Sequence, residues 1–168
     1  MVLINSAAIS LSLSYFDIPD FKSEVGVSIC FIENQGEILL LKNYNKSIQN
    51  NKWGAPGGKI QSNETPSQTA QREIFEETGI KLKAHKLQMA HTLYCRIPEI
   101  DSTLYIFKYQ LKNIDKTKIV LDPNEHSEYT WVKIEDCYNW DLIQGEQQII
   151  QLLYGVSLGR SDSGFRGR

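Results

Sequence analysis

The order of recognisable elements predicts an α+β fold, an α/β/α sandwich built on a mixed β-sheet. Three observations predict it. An early segment of alternating apolar residues is followed, after a turn signal, by a short apolar run, one well-capped helix stands in the middle of the chain, and further strand-like segments precede a last helical stretch. The 168 residues suit one domain with a hydrophobic core that needs no covalent staples.

In chain order, residues 1–23 are expected to form a leader or peripheral segment. Met1 to Leu11 is mildly apolar but lacks the basic start of a signal peptide, and Asp17, Pro19 and Asp20 soon interrupt it. No apolar run is long enough to span a membrane, so the expectation is a cytoplasmic protein without a membrane partner. The domain proper is expected over residues 24–156. Val25, Val27, Ile29 and Phe31 alternate with small or polar residues, Asn34-Gln35-Gly36-Glu37 reads as a turn, and Ile38 to Leu41 reads as a second strand, together a β-hairpin.

Asn43 to Lys52 is polar and reads as a loop, and Trp53 to Gly58 as a rigid glycine-rich connection. The helix is expected from Pro66 to Thr78. Thr65 can cap it, Pro66 suits the first helical position, Gln68 completes a capping box, and Gly79 suits the left-handed C-cap. Leu82 to Arg96 and Ser102 to Leu111 read as longer strands, Tyr129 to Val132 as a short one, Ile134 to Cys137 as a helical turn and Gln144 to Tyr154 as the final helix. Residues 157–168, rich in Ser, Gly and Arg, are expected to form a flexible tail.

Composition narrows the function. A net charge of −2 gives the chain no general attraction for nucleic acid. Cys30, Cys95 and Cys137 form no CxxC pair and read as free thiols, and His85, His91 and His126 lack the spacing of a histidine metal cage.

The chemistry concentrates in the central helix. Glu73, Glu76 and Glu77 stand at i, i+3 and i+4 and share a face, where like charges repel by a few tenths of a kcal/mol per pair. Glu76 and Glu77 also sit near the helix C-terminus, where the macrodipole disfavours them. A hard divalent cation, Mg²⁺ or Mn²⁺, removes both objections. Arg72, four residues before Glu76, can orient that carboxylate. Ala70, Ile74 and Thr78 form an opposite face that can pack on a sheet. Ahead of the helix, Gly57 and Gly58 permit unusual backbone angles or close approach, and Glu64 adds a fourth carboxylate.

These residues resemble the Nudix box. Gly58 to Ile80 matches Gly-x5-Glu-x7-Arg-Glu-U-x-Glu-Glu-x-Gly-U, U being apolar, at every defined position, with Ile74 and Ile80 at the U positions. The Trp53 to Gly58 stretch is similar to a Trp-x-x-Pro-Gly-Gly lead-in common in such domains. The resemblance implies a Nudix-type α/β/α sandwich. It also implies a MutT-like, Mg²⁺-dependent hydrolase that cuts a phosphoanhydride bond in a nucleoside diphosphate-linked small molecule. Glu73, Glu76 and Glu77 would be metal ligands and catalytic, a carbonyl of Gly57 or Gly58 a further ligand, Arg72 an orienting residue, and Glu64 a supporting metal or water ligand.

The attacking water must lose its proton to a carboxylate. Asn124 to Trp131 resembles a Glu-His-x-Glu…Trp segment of the family, which makes Glu128 the distal candidate for base or extra ligand, with Glu125 and His126 behind it. Tyr44, Trp53, Tyr94 and Arg96 are candidates for contact with a base, sugar or distal phosphate. The favoured substrate is a (deoxy)nucleoside triphosphate, cut to monophosphate and pyrophosphate by a monomer or homodimer. Dinucleoside polyphosphates, ADP-ribose and nucleotide sugars are alternatives within the class. A non-catalytic nucleotide-sensing Nudix module is the alternative of another class, disfavoured by the intact box.

Overall fold

A computed structural model of the chain describes residues 2–6, 9–14, 18–44, 50–98, 100–112 and 118–156; the expected tail, 157–168, lies outside them. Among the described residues the strands are β1 (Val2–Ser6), β2 (Ile9–Ser14), β3 (Val25–Asn34), β4 (Glu37–Asn43), β5 (Trp53–Gly54), β6 (Gly57–Lys59), β7 (Gln88–Ile97), β8 (Ile100–Gln110) and β9 (His126–Lys133). The helices are α1 (Pro66–Thr78) and α2 (Glu146–Tyr154). The sheet runs β1-β2-β7-β8-β3-β4-β5, with β6 paired to β3 and β9 to β4. β3 is parallel to β8, and the remaining pairs are antiparallel, so the sheet is mixed. The segment before residue 24 supplies two strands at one edge, where Ser12 and Ser14 pair with Arg96 and Tyr94.

β3 and β4 leave the sequence as a hairpin, but their pairing is limited to Glu33 with Ile38 and Asn34 with Glu37. Beyond that root the strands fork: β3 takes β6 as its neighbour while β4 takes β9. The glycines of β6 permit the insertion, because a Cβ at Gly57 would overlap the Ser28 carbonyl oxygen and the Ile29 Cα.

The sheet is covered on both faces, so its central strands are buried along continuous apolar runs rather than on one side. Cys30, Ile32, Leu39, Leu41, Phe107 and Tyr109 pack with Ala70 and Ile74 of α1. Phe31, Ile38, Leu40, Ile106 and Val132 point the other way and pack with Ile149 and Ile150 of α2. Strand alternation thus sorts one sequence run into two cores.

Helix α1 has the expected bounds. Thr65 accepts the Gln68 amide, the Gln68 side chain returns to the Thr65 amide at 2.8 Å, and Gly79 closes the helix in the left-handed conformation. Ala70, Ile74 and Thr78 are buried as the apolar face requires.

Several bounds differ: β8 runs Ile100–Gln110 rather than Ser102 to Leu111, the turn at Ile134 extends to Asn139, and the connection Trp53 to Gly58 contributes β5 and the start of β6. The expected strand from Leu82 begins at Gln88, because Ala84–Lys86 forms a 3-10 turn and Leu82 and Leu87 turn onto the α1-side core. β9 begins at His126, three residues before Tyr129, through a bulge that leaves Ser127 without a cross-strand partner between the pairs Lys42–Glu128 and Asn43–His126. α2 begins at Glu146 rather than Gln144, since Gly145 is in the left-handed conformation with φ 91°. Among the described residues, no helix is long and apolar enough to cross a membrane.

Neighbouring helix residues should report this packing. Ile74→Ala removes a fully buried side chain and is expected to cost about 3 kcal/mol, whereas Phe75→Ala, at a residue 48% exposed, should cost less than about 1 kcal/mol; urea unfolding of both variants checks the contrast.

Candidate active site

The acidic cluster is organised around one guanidinium. Arg72 Nε and Nη2 grip the two oxygens of Glu64 at 2.6 and 2.9 Å, and Nη1 donates to Glu73 at 2.7 Å and to Glu76 at 3.0 Å. Nη2 also reaches the Lys59 carbonyl at 3.2 Å, which ties the helix to β6. Such a planar fork can grip Glu64 with two parallel bonds and still donate to Glu73, Glu76 and the Lys59 carbonyl, more contacts than the three donors of an ammonium supply. The sequence reading gave Arg72 the single partner Glu76; its closest pairing is the bidentate one with Glu64.

Glu64 is thereby occupied. Besides Arg72, its Oε2 accepts the Thr69 hydroxyl at 2.8 Å and the Gln61 amide at 3.2 Å. The Arg72 hydrogen bonds, with help from Thr69 and Gln61, hold its pKa down at about 2. Glu64 anchors Arg72, and its protein partners compete with any metal for its oxygens.

Glu77 is 4% exposed and reaches under β6, where its Oε2 accepts the Gly57 amide at 2.9 Å. Its Oε1 lies 2.8 Å from His126 Nε2. Burial raises the Glu77 pKa, and the His126 contact works against that rise. For His126, burial alone would lower the value, but the Glu77 hydrogen bond and the charges of Glu77 and Glu125 outweigh it and the net shift is upward. The pair therefore keeps a proton to higher pH than an isolated imidazole would.

Gly57 and Gly58 serve by close approach. Neither has a positive φ, so the unusual backbone angles that glycine allows are not used here. A Cβ on Gly58 would overlap the Glu73 carboxylate, which is seated directly against the glycine. Burial raises the pKa of Glu73, with Arg72 opposing and the charges of Glu76 and Glu125 adding to the rise.

The distal carboxylate nearest this cluster is Glu125, not Glu128. Glu77, Glu125 and His126 each offer a donor atom within 4.8 Å of the others. Glu128 instead forms an exposed ion pair with Lys42 at 2.7 Å and does not line the cleft. Simple alternation would put residues 126 and 128 on one face of β9, and the bulge at Ser127 breaks that alternation.

Glu77, Glu125 and His126 line a cleft of about 500 Å³ together with residues that include Asn43, Tyr44, Lys59, Asn124 and Ile143. Of the four proposed ligand contacts, Tyr44 alone lines it. Trp53 packs edge-on against Trp140 at 5.0 Å, Tyr94 against Phe21 at 5.2 Å, and Arg96 forms a bidentate pair with Asp101.

The donor set fits a hard divalent cation. Glu77 and Glu125 bring oxygens within 4.8 Å of each other and of His126, Glu73 rests against Gly58, and Arg72 links Glu73 to the exposed Glu76, so the oxygen donors suit such an ion while Glu76 stands at the edge of the group. Glu125 and His126 were secondary in the sequence; the signal that pointed to them was the Glu-His pair itself.

The model of the NUDIX domain matches residues 22–153. The chain belongs to the Nudix family. It is 29% identical over 110 residues to an ADP-ribose pyrophosphatase of Bacillus subtilis, covering 66% of this chain and 58% of that protein. It is 35% identical over 80 residues to an RNA pyrophosphohydrolase of Actinobacillus succinogenes, covering 48% of this chain and 38% of that protein. The matched region spans about half the length of these two Nudix relatives. Among solved structures, the MutT protein of Methanosarcina mazei Go1 superposes with a TM-score of 0.66 at 25% identity, covering 80% of this chain and 94% of that one.

A second buried carboxylate stands beside the Nudix residues. Glu146, at the start of α2, is 4% exposed and accepts the Ala55 amide at 2.6 Å. Burial lifts its pKa to about 7, with the Ala55 bond opposing. The folded chain thus binds this proton more tightly than the unfolded one. The resulting stabilisation is full below the unfolded pKa near 4.5 and is lost as pH rises through about 7. Glu146→Gln, which keeps an acceptor but cannot ionise, should gain about 2–3 kcal/mol relative to wild type between pH 4 and pH 8, read from urea melts at the two pH values.

Proposed function

We propose that this chain is a Mg²⁺-dependent hydrolase of a phosphoanhydride bond in a nucleoside diphosphate-linked compound, with Mn²⁺ as an alternative ion. The favoured substrate is a (deoxy)nucleoside triphosphate, cut to monophosphate and pyrophosphate. The observation that carries the reading is the grouping of Glu77, Glu125 and His126 in the lining of a cleft that also presents Gly57 and Lys59, with Glu73 seated against the adjoining Gly58. The cleft volume is in the range of small-ligand sites. The names of the two relatives, an ADP-ribose pyrophosphatase and an RNA pyrophosphohydrolase, agree on the bond and differ in the attached group. The Bacillus relative, matched over the larger part of this chain, favours ADP-ribose as the second reading. Three buried free cysteines support a reducing, cytoplasmic setting.

Glu73, Glu76 and Glu77 would hold the cation, with a backbone carbonyl of Gly57 or Gly58. When bound, Mg²⁺ neutralises the diphosphate and polarises a phosphoryl oxygen. Arg72 keeps Glu73 and Glu76 in fixed rotamers and is itself fixed by Glu64. Lys59 adds positive charge where charge develops on the phosphoryl oxygens. Glu125, exposed at the cleft and close to the buried pair, accepts the proton of the attacking water.

Purified protein with Mg²⁺ should hydrolyse at least one member of a panel of nucleoside triphosphates, ADP-ribose, dinucleoside polyphosphates and nucleotide sugars. Glu73→Gln, Glu77→Gln and Glu125→Gln should each lower kcat/KM by about 100-fold or more, and Glu128→Gln by less than about 3-fold. Full activity in Glu77→Gln would overturn the mechanism; tight nucleotide binding without turnover would favour the sensing module.

A further inference from the structure

The segment that carries the two site glycines is held at three consecutive residues. Gly57 gives its amide to Glu77 of α1, Pro56 gives its carbonyl to the Cys30 amide at 3.0 Å, and Ala55 gives its amide to Glu146 of α2. Two buried carboxylates, one from each helical layer, thus grip alternate amides of one short stretch. The chain just before α2 docks beside it. Trp53 donates to the Asp141 carbonyl at 2.9 Å and accepts from the Ile143 amide at 2.8 Å, and a Cβ on Gly54 would overlap the Ile143 side chain. Those backbone bonds hold Trp53. Glu146 reaches two residues further, to Ala55 at the floor of the cleft, where Ile143 also lies.

A carboxylate in such surroundings is expensive to bury, and an apolar side chain of similar volume would pack at lower cost. The acceptor therefore needs a reason beyond packing, and the amide it orders supplies one. Glu73 and Glu77 are seated against Gly58 and Gly57, so a shift of that backbone changes the seat of both carboxylates.

We propose that Glu146 is a positioning residue for the cation and diphosphate end of the cleft: by accepting the Ala55 amide it fixes the Ala55–Gly58 backbone on which Glu73 and Glu77 are seated. The role is exerted through the backbone, and Glu146 makes no contact with the reacting atoms. The inference rests on the hydrolase reading for the identity of what is bound there.

The test is Mn²⁺ titration followed by electron paramagnetic resonance, beside thermal melts and hydrolysis kinetics, on wild type, Glu146→Leu and Glu146→Gln. Leucine fills similar volume without an acceptor, and should weaken Mn²⁺ binding by about 10–100-fold, as the loss of a supporting hydrogen bond does at metal sites. Glutamine restores the acceptor and should bring affinity and kcat/KM back to within about 3-fold of wild type. A Glu146→Leu protein that is less stable yet binds Mn²⁺ like wild type overturns the proposal, and so does a Glu146→Gln protein as defective as the leucine variant. Should Glu146→Leu fail to fold, Glu146→Asp, one methylene too short to reach Ala55, is read by the same criteria. Wild-type protein that binds no Mn²⁺ overturns the hydrolase reading together with this one.

Discussion

Crowding of negative charge on one helix face is the constraint on which this molecule is built. Glu64, Glu73 and Glu76 share a single guanidinium, and Glu77 is buried against an imidazole. Removing Arg72 would leave three carboxylates in mutual repulsion, with Glu64 and Glu73 at partly buried positions where screening by water is weak. The arrangement leaves the cluster with more negative charge than its own cations balance, and that residue of charge is what a divalent ion and a diphosphate can share. Glu64 matters for a reason its letter does not advertise: it determines where Arg72 sits, and Arg72 determines where the other two point.

The fold converts this charge cluster into a site by pinning the short β6 region between layers. α1 is fixed to the sheet by Ala70 and Ile74 on one side, and α2 by Ile149 and Ile150 on the other. Between them lies a stretch with no side chains at Gly57 and Gly58, thin enough to pair with β3 and to let Glu73 come into contact. The fork in the β3–β4 hairpin opens the space that this stretch occupies. Geometry at the cluster therefore depends on packing in both cores, and the layers are joined at this stretch by buried carboxylates, Glu77 and Glu146, that accept its backbone amides.

The cleft is lined by two kinds of residue. Glu77 and His126 are buried and bonded to each other, and Glu77 also holds the Gly57 amide. Asn43, Tyr44, Asn124 and Ile143 line it too, with Tyr44 nearly half exposed and its amide donating a hydrogen bond to the Glu125 carbonyl before β9. Such a division suits a family whose members share a bond to be cut and differ in what is attached to it. It also explains why the relatives of this chain carry names that agree about a pyrophosphate and disagree about the rest.

What the sequence determined by itself was local. Capping at Thr65 and Gly79 bounded α1, strand alternation marked β3 and β8, an apolar run after a turn marked β4, and the spacing of Glu73, Glu76 and Glu77 placed an acidic face on the helix, because each of these signals is carried by residues within a few positions of one another. Tertiary structure decided the rest. The bulge at Ser127 sent Glu128 to Lys42 and left Glu125 and His126 at the cluster, a 3-10 turn delayed β7, and Glu146 met Ala55 across 91 residues of chain. No periodicity encodes such contacts, since they arise only when separately formed layers are packed together and each buried polar group must find a partner in whatever lies opposite.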